Sequence, residues 1–185
     1  VESWNAHISL LTGMCAARMM LDAGVGIVRT MPPPAAEDYE RLRRTAAGLE
    51  IDWPRDMSYA ELVRDLDPRT PAHAAFLNLV TVLLRSAGYT QVLAPVGDDE
   101  PDVLRHAAVA AAYAHVTAPL RRLVDRYGTE CCLSIAAGDP VPDWVLETLP
   151  RLPDEMRSAD QRARALDRAC VDLMEAVILE QHVGE

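Results

Sequence analysis

The sequence predicts an α+β fold that is predominantly helical, with a few short strands and a long C-terminal helix. Two observations carry this. Apolar residues recur at spacings of three and four along much of the 185-residue chain, which is the period of a helix face. β-branched residues gather in two short runs, GVGIVRT and YTQVLAPV, bounded by glycine or proline, as short strands are. The length suits one domain, or a large piece of one, and is ample for a hydrophobic core.

Residues 4–23 form the first helical pattern, with Ile8, Leu11, Cys15 and Met19 at spacings of three and four. GVGIVRT, 24–30, follows as a strand. The run MPPPAAED breaks the chain, and EDYERLRRTAAGLE enters a helix behind those prolines. Ser58 and Glu61 have capping-box spacing for a short helix. Thr70-Pro71 opens another, to about Ser86. YTQVLAPV is extended, and GDDEPD is an acidic loop whose crowded carboxylates read as solvated. HAAVAAAYAHV reads as an extended segment delivering the chain to a helix start at Thr117 and Pro119. That helix runs to Gly138, a suitable C-terminal stop. DWVLETL, bracketed by Pro142 and Pro150, is a short helix. From Pro153 to about His182 a single helix of roughly 45 Å is expected. Its seam, Met156, Ala159, Ala163, Leu166, Cys170, Leu173 and Val177, resembles a coiled-coil stripe. The plainer reading of this stripe is packing across the helix's own domain, in a monomer.

Charge narrows the function. The net charge is −10, which repels phosphate and argues against diffuse nucleic-acid binding, DNA included. All 18 basic residues are arginine. From Val103 to Thr129, however, Arg105, Arg121, Arg122 and Arg126 face Asp125 alone; an anion would bind near this segment. No apolar run approaches the roughly 18 residues that span a bilayer, so no membrane partner is expected. Cys15, Cys131, Cys132 and Cys170 have no ligand spacing, which disfavours zinc and a disulfide framework. They read as reduced, buried thiols of a cytoplasmic protein. No P-loop, GxGxxG or Ser/His/Asp arrangement is present, and His106 and His115 are not a metal pair.

The stretch AYAHVTAPLRRLVDRYG, 112–128, therefore holds the interest. With Thr117 as N-cap and Pro119 in the first turn, free N–H groups and the helix dipole make an anion site. Arg121 and Arg122 would project from that turn, and a guanidinium fork can hold two phosphate oxygens. Asp125 follows Arg121 by four and Arg122 by three, so it can orient one of them. Tyr113 and His115, two apart in an extended segment, share a face suited to a sugar or base. On these residues alone, phosphate binding and an ordinary capped helix with an internal salt bridge both stay open.

HAAVAAAYAHVTAPLRRLVDR is similar to the signature of the ribonuclease II and ribonuclease R family, HFGL…YAHFTSPIRRYPDLLVHR. WNAHISLLTGMCAARMM resembles the helix with that family's xxLxANxxAA pattern. GIVRT-x-P resembles its YRVHExP step, and ERLRRTAAGLEIDWP its LRxxLxxLG segment. The long last helix resembles the one that ends the RNB catalytic domain. The resemblance assigns 1–182 to the C-terminal part of an RNB-type domain and 183–185 to the start of a further segment. The missing initiator Met agrees with an internal fragment.

The resemblance implies a 3′-to-5′ exoribonuclease that hydrolyses single-stranded RNA to nucleoside 5′-monophosphates. It implies magnesium held by an aspartate cluster upstream of Val1, with no metal ligands in this chain, so the fragment alone would be inactive. It carries the motif's first arginine onto Arg121, as the catalytic neutraliser of phosphate charge. Arg122, Thr117, Tyr113 and His115 fall on matching substrate-binding positions, and His7 lies where family members carry a polar group near the terminal nucleotide. Ala118 stands in place of the family's serine, and His106-Ala107-Ala108-Val109 in place of HFGL. Two other readings are a non-catalytic RNA-binding scaffold and a helical interaction module built on the last helix.

Overall fold

The computed structural model describes residues 2–80, 87–97 and 101–180. Helix α1 (Glu2–Ala23) leads through a tight turn into strand β1 (Gly26–Thr30). Among the described residues, helices α2 (Ala36–Gly48), α3 (Tyr59–Asp65) and α4 (Pro71–Val80) follow before strand β2 (Gly88–Val92). β2 pairs antiparallel with β1, Gly26 opposite Val92 and Thr30 opposite Gly88. Two-residue strands β3 (Arg105–His106) and β4 (Ala111–Ala112) pair with each other. The segment containing them lies along β1: Met31 N–H bonds the Arg105 carbonyl at 3.1 Å, and Arg29 N–H the Tyr113 carbonyl at 2.7 Å. Helices α5 (Leu123–Ala137), α6 (Asp143–Thr148) and α7 (Leu152–Glu180) complete the chain. Mostly helical with two small antiparallel sheets, the fold is the α+β class expected.

One core joins α1, the strands and α5–α7. Ala17, Met20 and Leu21 of α1 meet Ile27 and Val28 of β1, Val124 and Cys131 of α5, and Val145, Leu149, Leu152 and Met156 near the end. Burial of such side chains contributes about 25 cal/mol per Å² of apolar surface removed from water. A second, separate cluster holds α2–α4 together, with Leu42, Ala46, Ile51 and Leu62 around Phe76. It hangs between two adjacent strands, so it closes the β1–β2 connection without contributing to the sheet.

Two local signals hold. The capping box is formed: Ser58 Oγ accepts from Glu61 N–H and the Glu61 carboxylate from Ser58 N–H. Gly138 caps α5 in the left-handed conformation, φ 73°, which glycine adopts without a Cβ penalty. The expected end of α4 near Ser86, residues 98–100 of GDDEPD and His182 fall outside the described residues.

Three expectations are corrected. α5 starts at Leu123 with Arg122 as its N-cap residue, not at Thr117. Residues 118–122 instead form a tight turn, with Arg121 and Arg122 N–H both bonded to the Ala118 carbonyl. Second, the cysteines are not all buried: Cys15 and Cys170 are exposed, while Cys131 is buried and Cys132 half-buried. On α1, Ile8 and Leu11 are exposed, and Gly13, Ala16, Ala17, Met20 and Leu21 are buried. The helix meets its partners through small residues, which let α5 and the 113–114 segment come close. Third, α7 does not pack across its domain. Leu152 and Met156 are buried, but every residue from 161 to 180 is exposed.

Candidate RNA-binding site

The extended segment 113–116 is held from two sides by glycines. Ala114 N–H bonds the Gly13 carbonyl at 3.0 Å, and a Cβ on Gly13 would collide with the Tyr113 ring. On the other side, a Cβ on Gly128 would stand 3.3 Å from Val116 Cγ1. α1 and α5 thus both approach the backbone closely, and this fixes where Tyr113 and His115 sit.

As residues two apart on an extended chain, Tyr113 and His115 face the same way. Their ring centroids are 5.5 Å apart, edge to face. His106 meets the other side of Tyr113 at 5.9 Å, and Tyr89 meets His115 at 5.7 Å. The Tyr89 hydroxyl and His115 Nδ1 are hydrogen-bonded at 2.8 Å. Burial, reinforced by the positive charges of Arg122 and Arg29, lowers the His115 pKa to about 4. The imidazole is therefore neutral near pH 7 and acts as a hydrogen-bonding group rather than a cation. Burial raises the Tyr89 hydroxyl above its ordinary value, so it keeps its proton.

The turn between this segment and α5 is organised by Asp125. Its carboxylate is fully buried and accepts from Ala118 N–H at 2.6 Å and from both Nε and an Nη of Arg122 at 2.8 Å. Sitting in the first turn of α5, the negative charge is also favoured by the helix dipole. Burial opposes the charge on Arg122, but the hydrogen bonds and attraction of Asp125 outweigh it and hold its pKa above the ordinary value. Arg126 Nε closes the turn on the Pro119 carbonyl at 3.0 Å. The two neighbouring arginines are thus unequal. Arg122 is tied down, whereas Arg121 is exposed and its guanidinium has no hydrogen bond or ion pair among the described residues.

Tyr113, His115 and Arg122 are brought together, with Arg121 and Thr117 exposed on the adjoining turn. His7 is not part of this group: it is exposed on α1, and no hydrogen bond or ring contact joins it to Tyr113 or His115 among the described residues. Sequence reasoning missed Tyr89, whose pairing with His115 spans 26 positions, and Gly13, whose only signal was an isolated glycine inside a helical pattern. Among the described residues, no group of three His, Cys, Asp or Glu could hold a metal ion. These residues do not make a magnesium site.

No protein-family model matches the chain, and no curated protein matches its sequence. Solved structures do. The chain superposes over its full length on the apo form of Mycoplasma genitalium RNase R, with a TM-score of 0.75, 17% identity and 29% of that chain covered. RNase R of the same organism in complex with double-stranded RNA gives a TM-score of 0.73 at 17% identity, with 33% of that chain covered. Yeast Ssd1, described as a pseudonuclease, gives 0.59 at 16% identity, covering 79% of this chain and 18% of that one. The chain spans about a third of the RNase R chains it matches. The likeness is one of fold, to a segment of those RNase R chains. No helix among the described residues is long and apolar enough to cross a membrane.

Proposed function

We propose that this chain is the RNA-holding part of a 3′-to-5′ exoribonuclease that hydrolyses single-stranded RNA to nucleoside 5′-monophosphates in the cytoplasm. The observation that carries the reading is the inequality of the two arginines. The buried Asp125 uses Arg122 and Ala118 N–H to set the turn, and the turn presents Arg121 to solvent, with no partner among the described residues. A guanidinium held out in this way can neutralise charge on a phosphate as it builds in the transition state. Arg122, half-buried and charged, adds positive potential behind it. In the tautomer whose Nδ1 accepts from Tyr89, the His115 ring keeps its proton on Nε2, where it can donate to a sugar or phosphate oxygen. Tyr113 supports that ring edge-on, and Thr117 offers a hydroxyl at the mouth of the turn. Magnesium belongs to the proposal as a cofactor bound outside this chain, and the protein acts as a monomer.

The test uses the intact protein, with magnesium and 5′-labelled poly(A). Arg121→Ala should slow degradation at least about tenfold, because loss of one such donor costs roughly 10²–10³ in other enzymes. Unchanged turnover would remove Arg121 from the role. The likeness to a pseudonuclease favours one alternative, a non-catalytic RNA-binding protein. Binding of the labelled RNA without any magnesium-dependent shortening would establish that alternative.

A further inference from the structure

A cleft of about 350 Å³ lies between the β1–β2 pair and the first turns of α7, lined by Arg29, Tyr89, Arg157, Asp160, Gln161 and Arg164 among others. Three arginines against one carboxylate is an unusual concentration of positive charge in a chain of net charge −10. The residues come from three distant parts of the sequence, so no local pattern accounts for their meeting. Arg29 stacks over the Tyr89 ring, its guanidinium carbon 4.6 Å from the centroid, and stands directly across the strand pair from it. Arg157 is steadied from outside the cleft by Asp154 at 2.6 Å. Arg164, seven residues and about two turns further along the same face of α7, is exposed.

The cleft is joined to the turn that carries Arg121. Tyr89 forms one wall, and its hydroxyl is the group that bonds His115 Nδ1. We propose that this cleft is a second phosphate subsite, in which Arg29, Arg157 and Arg164 hold the backbone of the same single-stranded RNA that the Arg121 turn engages. The inference rests on the RNA reading above and adds to it a binding track along α7. Guanidinium groups suit this task because each can donate two parallel hydrogen bonds to a phosphate. Held by backbone contacts, the subsite is indifferent to base sequence.

Arg157→Gln/Arg164→Gln in the intact protein tests it, since glutamine keeps the helix propensity of arginine. The readout is fluorescence anisotropy with a labelled ten-nucleotide oligo(A) across a salt series, with no magnesium. The double variant should bind roughly tenfold more weakly at low salt. Its slope of log K against log salt should fall by about 1.4, the value for two lost single-strand phosphate contacts. Arg162→Gln/Arg168→Gln removes the same charge from α7 outside the cleft and should change binding by less than about twofold, which is the expectation for exposed charges. Equal weakening in that control would overturn the subsite and leave only diffuse charge. If the wild-type protein binds RNA and Arg157→Gln/Arg164→Gln binds as well, the subsite falls while the RNA reading stands. If the wild-type protein binds no RNA, both fall together.

Discussion

Helix α5 and the outer part of α7 carry similar sequence signals and meet opposite fates. Both have apolar residues at helical spacing, and both are helical in the structure. α5 is wedged between α1, β1 and α6, burying Val124, Asp125, Gly128, Cys131 and Ser134. From residue 161 onward, α7 buries nothing, and Leu173 is 64% exposed. The difference teaches that periodicity reports a helix and a preferred face, while a partner for that face must come from elsewhere in the fold. It also explains why the candidate site sits at α5: among the described residues, a buried carboxylate, close glycine contacts and a fixed turn coincide there.

The sharpest way to break the contrast is Asp125→Ala. Removing one partner of a buried, hydrogen-bonded pair costs roughly 3–5 kcal/mol. It would orphan Ala118 N–H and release Arg122, so denaturant unfolding should show a loss of that size. A loss below about 1 kcal/mol would mean that the turn does not depend on Asp125. Next in size is a paired comparison of two leucines. Leu149→Ala, in the fully buried core beneath α5 and α6, should cost about 2–5 kcal/mol. Leu173→Ala, on the exposed stripe, should stay within about 0.5 kcal/mol. Equal losses at the two positions would show that the α7 stripe is covered in solution.

The smallest effect is a pH dependence at the histidines beside α5. The lowered pKa of His115, about 4 in the folded protein, means the unfolded chain binds more protons between roughly pH 6.5 and 4. His106 is lowered by burial and by Arg29 in the same direction. The contribution of the neutral His115 to stability is therefore complete above about pH 6.5 and is lost as the pH falls through about 4. His115→Gln should flatten the decline in denaturation midpoint over that interval. A variant with the same acid dependence as the wild type would show that His115 is already charged, or freely solvated, at neutral pH.

Much of the fold was legible because its signals are local. The capping box at Ser58 and Glu61, the proline breaks and the glycine stop at 138 each act within a few residues. The start of α5 was misread for the same reason. Thr117 and Pro119 make a plausible local cap, but Asp125 reaches back to Ala118 N–H and holds the chain in a turn until Leu123. The spacing of Asp125 allowed either arginine as its partner, and it is buried packing around the carboxylate that selects Arg122. Tyr89 carried no signal at all, since nothing near it in the chain points to His115.

By itself, the sequence determined the helical and extended segments, the concentration of arginine around 103–129, and the candidate residues from Tyr113 to Arg122. These follow from backbone preferences and composition, which depend on near neighbours. Only the tertiary structure decided which faces are covered, which arginine stays free, that His115 is neutral and paired with Tyr89, and that Arg29, Arg157 and Arg164 share a cleft. Burial and electrostatic environment arise from segments distant in sequence, and a linear pattern does not contain their distances.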